Sequence, residues 1–301
     1  MKNKFKKPEE TIDFIGIGAA KSASTWLNKC LEEHPDILTS SQKTRKEINF
    51  FNSGIGIPIS SGRSASFYHK GYEWYLKQFP PAQKGKIRGE FCVTYLIDNE
   101  APKRIKKFNP NIKILAILRN PSEMINSLHW QTKTRVKYHI SDDINKQLDK
   151  GFYIEAAQYH KNLKRYFDLF PHKNIKVVIL DEVKENPRRT LQEVYKFLNV
   201  DKDFIPTTIG KKINKAFVIK NAYIKNLLAF VLKILKLFKM KNLHRYLRTS
   251  KFTNKIYHIF NTEKKSHDKL DEKTKQRIKE ILRNDIENLE KLLDKDLNVW
   301  K

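Results

Sequence analysis

The sequence predicts a three-layer α/β fold with a central parallel sheet and a C-terminal helical extension. Short apolar runs typical of buried strands occupy residues 12–18, 111–118 and 175–180, and a helical pattern follows each of them. Strands that alternate with helices in this way favour a parallel sheet covered by helices on both faces. A charged amphipathic pattern at residues 272–293 predicts the last helix.

Composition favours one domain that meets an anionic partner. The 301 residues carry 60 Lys and Arg against 33 Asp and Glu, a formal net charge of +27. Such an excess points to nucleic acid, an acidic membrane or an acidic substrate. No zinc-ligand spacing and no aromatic–basic RNA-binding signature accompanies it, which argues against a nucleic-acid partner. We expect a single domain over residues 1–301, with a core at about 11–218 and a helical extension at about 219–301.

Cysteine usage and the N-terminal segment indicate a reducing compartment. Cys30 and Cys92 are the two cysteines of the chain, too few for a disulfide framework. Residues 1–10 are charged and contain neither a signal peptide nor a membrane anchor. We therefore expect a cytoplasmic protein, and the Lys-, Asn- and Ile-rich usage favours a bacterial one.

The segment that follows the first predicted strand has the features of an anion cradle. Small residues lead to Lys21-Ser22, and a helix begins a few residues later. Backbone N–H groups, a helix N-terminus and one lysine together attract phosphate or sulfate. A Walker A loop requires glycine where Ile15 and Ala20 stand, so a P-loop nucleotide kinase or ATPase is the alternative rather than the first interpretation.

The cradle resembles the 5′-phosphosulfate loop of sulfotransferases, although Ala23 stands where that family usually has glycine. The resemblance implies that the cofactor is 3′-phosphoadenosine 5′-phosphosulfate (PAPS) and that Lys21 neutralises charge on the bridging oxygen as the sulfuryl group leaves. It implies a 5′-phosphosulfate site formed by Lys21, Ser22, Ala23, Ser24, Thr25 and Trp26.

A second motif resembles the 3′-phosphate site of the same family. Arg119-Asn120-Pro121 follows a predicted strand, and Ser127 comes eight residues after Arg119 within a helical pattern. The arginine fork suits a phosphate, and proline suits the first turn of a helix. By resemblance, Lys212 and Lys215 lie in a loop that closes over the nucleotide, and a solvated basic linker is the equal alternative for each.

The segment Arg45 to Phe51 resembles the part of heparan-type and bacterial sulfotransferases that supplies the catalytic base. The resemblance assigns this role to Glu47 and places Arg45 and Lys46 beside the acceptor; a surface glutamate is the alternative. Gly89 to Leu96 resembles the next strand and turn, in which Glu90 is a second acid–base candidate or a residue that orients Lys21. Phe91, Cys92 and Val93 depart from the heparan-type pattern there. Further acceptor contacts are expected from Glu90, Tyr95 and Trp130.

Residues 217–240 form a basic amphipathic pattern whose longest uncharged run, 226–232, is far shorter than a membrane span of ~20 residues. Such a helix can lie on an anionic membrane surface, here the inner face of the membrane, or pack on protein. The resemblance as a whole implies a P-loop-like fold and transfer of a sulfuryl group from PAPS, without metal, to a hydroxyl or amine of a glycan or glycolipid, which leaves the desulfated nucleotide (PAP). A non-catalytic basic protein of the membrane surface is a further alternative.

Overall fold

The computed structural model of the chain describes residues 4–5, 10–54, 66–134, 141, 143–211, 217–219, 234, 262–264 and 269–301. The chain divides into two compact units, one formed by Met1–Asn214 with Lys269–Lys301 and the other by Lys215–Asp268. The end of the chain therefore belongs to the same unit as the sheet. The organisation predicted for residues 219–268 stays a prediction, because 219, 234 and 262–264 are the residues described there.

The first unit contains a sheet of five parallel strands in the order β2-β3-β1-β4-β5. This confirms the predicted parallel sheet. Strand β1 lies at its centre, and Ile15 pairs with Glu90 on one side and with Ile114 on the other. Chain order reverses at β1, and the carboxyl edge beside such a reversal is where parallel sheets bind ligands. The strands are β1 (Phe14–Gly18), β2 (Ile37–Thr39), β3 (Ile87–Phe91), β4 (Lys113–Leu118) and β5 (Ile175–Ile179).

Helices cover both faces of the sheet. The described α-helices with complete bounds are α1 (Ser24–Glu33), α2 (Tyr72–Leu76), α3 (Ala101–Phe108), α4 (Pro121–Thr134), α5 (Ile144–Asp149), α6 (Phe152–Ala157), α7 (Tyr159–Phe167), α8 (Leu180–Glu185), α9 (Pro187–Leu198) and α10 (Glu272–Leu293). Helix α10 has the predicted bounds. The amphipathic pattern at residues 156–170 predicts one helix, but the structure interrupts it at Gln158, whose backbone (ψ 73°) leaves the helical region.

Two apolar clusters, one on each side of the sheet, give the three layers. Alternate residues of β1 point to opposite faces, so that Phe14 joins Leu27 of α1 and Val194 of α9, whereas Ile15 joins the cluster that contains Ile125 of α4 and Leu282 of α10. These six side chains are buried. Because these strands are parallel, the carboxyl ends of β1, β3 and β4 lie at the same edge of the sheet and lead into loops there.

The second unit includes a short antiparallel pair, β6 (Phe217–Ile219) with β7 (Thr262–Lys264). The expected helix over 217–240 is therefore wrong at its start, because three residues there are extended and paired with a distant segment. Of the remainder, Ile234 alone lies within the described residues, and it is helical. Within the described part of the chain, no helix is long and apolar enough to cross a membrane.

Candidate active site

Residues 19–23, here called the phosphate loop, connect the carboxyl end of β1 to the N-terminus of α1. Lys21 (φ 59°) and Ala23 (φ 62°) both adopt the left-handed region, which turns the chain sharply into the helix. Ala23 occupies the N-cap position and makes no side-chain hydrogen bond to the first turn. The N–H groups at a helix start need partners and carry a positive partial charge. The loop therefore fits an anion such as a phosphosulfate.

Three hydroxyl-bearing residues, one in the loop and two in the first turn of α1, differ in their hydrogen bonds. Ser22 is completely buried, and its hydroxyl donates to the carbonyl of Ala20 at 3.2 Å. The hydroxyls of Ser24 and Thr25 instead accept from the ammonium of Lys46 at 3.0 and 3.4 Å. The Ser22 hydroxyl therefore stabilises the loop from inside, and its predicted contact with the cofactor stays a prediction.

Trp26 also faces the interior. Its side chain packs in the apolar cluster of α1 and α9, and its indole N–H donates to the carbonyl of Ile209 at 3.2 Å. Cys30, one turn further along α1, lies 3.6 Å from the Thr208 hydroxyl, and burial raises the pKa of its thiol to about 12. Trp26 thus anchors the segment that leads to the predicted nucleotide-closing loop, and its predicted contact with the cofactor stays a prediction. Lys212 and Lys215 lie outside the described residues.

The two predicted nucleotide motifs meet at Arg119, which follows β4. Its Nη1 donates to the carbonyl of Lys21 at 3.3 Å, and its Nε donates to the Glu123 carboxylate at 2.9 Å. Ser127 lies on the same helix as Glu123, α4, and is almost completely buried. The structure therefore places the guanidinium beside the phosphate loop, but in contact with a carboxylate that has the same charge as a phosphate.

Lys46 and Glu47 belong to the segment that follows β2. The Lys46 ammonium contacts the start of α1, next to the phosphate loop. The Lys46 ammonium is 3.6 Å from a carboxylate oxygen of Glu47. Glu47 keeps 30% of its side chain exposed, so that its oxygens can be reached from solvent. A partly exposed carboxylate next to the anion cradle can accept a proton from an incoming nucleophile.

Glu90 is the opposite case, a carboxylate without access to solvent. Its oxygens accept hydrogen bonds from the hydroxyls of Tyr75 at 2.6 Å and Tyr95 at 2.9 Å and from the N–H of Ile48 at 3.2 Å. The Tyr95 hydroxyl in turn accepts from the N–H of Phe50 at 3.0 Å. Glu90 and Tyr95 are completely buried, and these hydrogen bonds hold residues 48–51; their predicted contact with an acceptor stays a prediction.

Burial raises the pKa of Glu90 from 4.5 to about 7, against the opposing effect of its three hydrogen bonds. Folded protein therefore binds this proton more tightly than unfolded protein, and the stability that it contributes at low pH is lost as pH rises from about 4.5 through 7. We expect wild-type protein to lose up to roughly 3 kcal/mol of unfolding free energy over this window, and Glu90→Gln to lack that dependence. Urea denaturation at pH 5 and pH 8 measures it.

The control is Glu73→Gln, because Glu73 lies on the neighbouring α2 with 82% of its side chain exposed. This variant should keep the wild-type pH dependence. Equal slopes for wild type and Glu90→Gln would contradict the assignment.

Sequence reasoning did not identify Tyr75 as a partner of Glu90. The pattern at Tyr72, Trp74, Tyr75 and Phe79 predicts core aromatics, with a sugar platform as the alternative. Tyr72, Tyr75 and Phe79 are buried, and Trp74 is half-buried. A hydroxyl aimed at a buried carboxylate is a tertiary contact that this apolar spacing does not reveal. The other predicted acceptor residues are more accessible: Arg45 is exposed, and Trp130 is half-buried on α4. Among the described residues, no three His, Cys, Asp or Glu side chains are grouped so as to hold a metal ion.

Comparison with known proteins agrees with this geometry. The chain matches the sulfotransferase domain over residues 11–294 and belongs to the sulfotransferase domain family, a family of PAPS-dependent enzymes. One relative is human heparan sulfate glucosamine 3-O-sulfotransferase 5, which is 30% identical over 197 residues. The match covers 62% of this chain and 53% of that protein. Human bifunctional heparan sulfate N-deacetylase/N-sulfotransferase 3 is 27% identical over 213 residues, which cover 64% of this chain and 23% of that protein.

The chain therefore spans about half of the first relative's length and about a quarter of the second's. Among solved structures, the crystal structure of a sulfotransferase from Alicyclobacillus acidocaldarius superimposes with a TM-score of 0.68 at 20% identity, covering 97% of this chain and 99% of that one. This similarity establishes the shared fold, with the five-stranded parallel sheet and the C-terminal helix.

Proposed function

We propose that this protein transfers the sulfuryl group of PAPS to a hydroxyl or amine of an acceptor. The observation that carries the proposal is the contact between Arg119 and the Lys21 carbonyl at 3.3 Å, since it joins the two nucleotide motifs at the carboxyl edges of β1 and β4. A kinase or ATPase also needs a phosphate loop, but not a 3′-phosphate site, which the Arg119–Ser127 motif resembles. The paired motifs therefore favour a 3′-phosphorylated nucleotide.

When bound, PAPS supplies the sulfuryl group and the leaving phosphate. The Lys21 ammonium, the hydroxyls of Ser24 and Thr25 and the N-terminus of α1 would hold the 5′-phosphosulfate, and Arg119 with Ser127 would hold the 3′-phosphate. Lys212 and Lys215 remain predicted partners of the nucleotide. Fixed cations and N–H donors perform the electrostatic work in this arrangement, and the mechanism requires no metal.

Glu47 would take the proton of the acceptor as the acceptor attacks. Its carboxylate is exposed at 30% and lies 3.6 Å from the ammonium that contacts Ser24 and Thr25. An acceptor hydroxyl that reaches the cradle therefore passes within range of this base. Glu90, with its oxygens occupied by two tyrosines and a backbone N–H, lacks such access.

A glycan or glycolipid with anionic groups is the acceptor that we propose. Arg45 is two residues from Glu47 in the chain, and its guanidinium lies 4.9 Å from the ring of Phe67. The Lys70 ammonium lies 5.2 Å from the same ring and 4.8 Å from the Trp74 ring. Aromatic faces bordered by cations suit a ligand with apolar faces and negative charges. The heparan sulfate enzymes named above are consistent with such an acceptor. Trp130 remains a predicted contact.

Cellular location stays a prediction. We propose a bacterial, cytoplasmic protein, with a peripheral membrane contact through residues 217–240. The absence of a nucleic-acid partner, expected from the sequence, belongs to the same proposal.

Nucleotide binding tests the proposed function directly. Calorimetry with EDTA present should show tighter binding of PAP than of ADP, and Arg119→Ala should lose roughly 2–5 kcal/mol of PAP affinity because a charged pair is removed. Binding of ADP, which lacks the 3′-phosphate, should change little. Equal losses for both nucleotides would show that Arg119 does not read the 3′-phosphate, and ADP binding that exceeds PAP binding would favour a kinase.

Glu123→Gln is the matched variant. It keeps the size of the side chain that contacts Arg119 at 2.9 Å but removes its negative charge. We expect a severalfold gain in PAP affinity, because the 3′-phosphate no longer meets a carboxylate at the guanidinium.

A further inference from the structure

Lys46 belongs by sequence to the acceptor segment, but its ammonium lies on the phosphate loop. Nζ donates to Ser24 Oγ at 3.0 Å and to Thr25 Oγ1 at 3.4 Å, in the first turn of α1. Only 17% of the Lys46 side chain is exposed. The lysine therefore contacts the nucleotide side of the site through two of its donors.

The charge of Lys46 is only partly balanced in its surroundings. Its described carboxylate partner is Glu47 at 3.6 Å, and the Phe91 ring centroid lies 6.0 Å from the ammonium. Burial lowers the pKa of Lys46, while Glu47 and Cys92 act in the opposite direction. The N-terminus of α1, which is also positive, adjoins the ammonium. The Lys46 ammonium and the N-terminus of α1 are both positive, and Glu47 is the one partly exposed carboxylate described beside them. Together they produce an electrostatic potential that favours an anion.

The hydrogen bonds also orient the loop hydroxyls. A serine or threonine hydroxyl has one proton and accepts through its oxygen. Because the oxygens of Ser24 and Thr25 accept from Lys46, their protons point away from the lysine and serve as donors elsewhere. Lys46 thus prepares both hydroxyls to donate to an anion in the cradle.

We propose that Lys46 is a second cation of the 5′-phosphosulfate site, which acts with Lys21 and presents the Ser24 and Thr25 hydroxyls as donors. This inference rests on the proposed function and moves Lys46 from the acceptor to the cofactor. Glu47 then lies next to the residue that holds the sulfuryl donor, so that one ion pair links cofactor binding to the proposed base.

A comparison of two ligands tests the role of Lys46. PAPS carries the 5′-phosphosulfate, whereas adenosine 3′-phosphate keeps the 3′-phosphate and lacks every group at the 5′ end. Lys46→Met should weaken PAPS binding roughly 10- to 100-fold, the range for one lost charged hydrogen bond. Binding of adenosine 3′-phosphate should change less than about twofold by the same argument. Calorimetry without acceptor measures both affinities, so that turnover does not enter.

Three variants complete the experiment. Lys43→Met removes an exposed lysine of the same segment and should leave both affinities unchanged. Lys46→Arg keeps the charge and should retain more PAPS affinity than Lys46→Met. This difference would show that the weaker binding comes from the missing charge and not from misfolding. Arg119→Ala should weaken both ligands.

The outcomes separate this inference from the proposed function. Equal weakening of both ligands by Lys46→Met, or no weakening of PAPS, would overturn the role of Lys46 while the proposed function stands. Wild-type protein that binds neither PAPS nor PAP would overturn the proposed function and this inference with it.

Discussion

Lys21→Ala is expected to lower the turnover number for sulfuryl transfer by at least ~10²-fold, the scale seen when a donor to a developing oxyanion is removed. The charge on the bridging oxygen grows as the sulfuryl group leaves, so the ammonium of Lys21 stabilises the transition state more than the bound cofactor. The loss should therefore fall on kcat more than on PAP affinity.

Folding should survive this substitution. Lys21 is half-buried in the loop and adopts a left-handed backbone that alanine already adopts two residues later, at Ala23. The backbone preference for this turn is thus similar in the variant. An unchanged thermal unfolding midpoint would separate a loss of chemistry from a loss of structure.

The assay uses radiolabelled PAPS with an acceptor fraction from the host, followed by separation of the labelled product. Lys29→Ala is the control, because Lys29 lies on α1 with 48% of its side chain exposed and pairs with Glu32 away from the loop. Its turnover should equal that of wild type. Wild-type turnover in Lys21→Ala would remove Lys21 from the mechanism.

The sequence predicted the sheet and the phosphate loop because both depend on local patterns. Strand β1 is buried at all five positions, and such strands read as continuous apolar runs. The loop after it is recognisable because small residues, one lysine and a helix start must follow in that order. Helix α10 was predicted with its observed bounds because its buried positions, such as Ile278 and Leu282, recur with helical spacing.

Contacts between distant segments could not be predicted in this way. Lys46 meets Ser24 across 22 positions of the chain, and Glu90 meets Ile48 across 42. Nothing in either local pattern distinguishes these charged side chains from solvated ones. The extended pairing at 217–219 has the same origin, because its partner at 262–264 overrides an amphipathic helical pattern.

The two glutamates that are candidates for the base lie in different environments. Glu47 and Glu90 both lie within segments that resemble those of sulfotransferases, and the resemblance assigns the base to Glu47 with Glu90 as a second candidate. The Glu47 side chain is partly exposed and pairs with Lys46, whereas the Glu90 carboxylate is buried and accepts hydrogen bonds from Tyr75 and Tyr95. Carboxylates in such different surroundings carry out different work.

Glu47→Gln is therefore expected to reduce kcat by roughly 10²–10⁴-fold, the contribution of general base catalysis. Glutamine keeps the size and the hydrogen-bonding reach of the side chain but cannot accept the acceptor's proton. PAPS affinity should change only severalfold, because the cradle residues remain in place. Single-turnover transfer from radiolabelled PAPS and calorimetry with PAP measure the two effects separately.

Glu90→Gln is the decisive comparison, since it makes the same chemical change in a carboxylate that solvent does not reach. Its kcat per folded molecule should stay within about tenfold of wild type, because Glu90 acts on residues 48–51 through hydrogen bonds that glutamine partly replaces. The opposite pattern, a large loss in Glu90→Gln with a retained rate in Glu47→Gln, would assign the base to Glu90. Residues 48–51 would then have to move to expose Glu90 before transfer, since its oxygens accept three hydrogen bonds in this conformation.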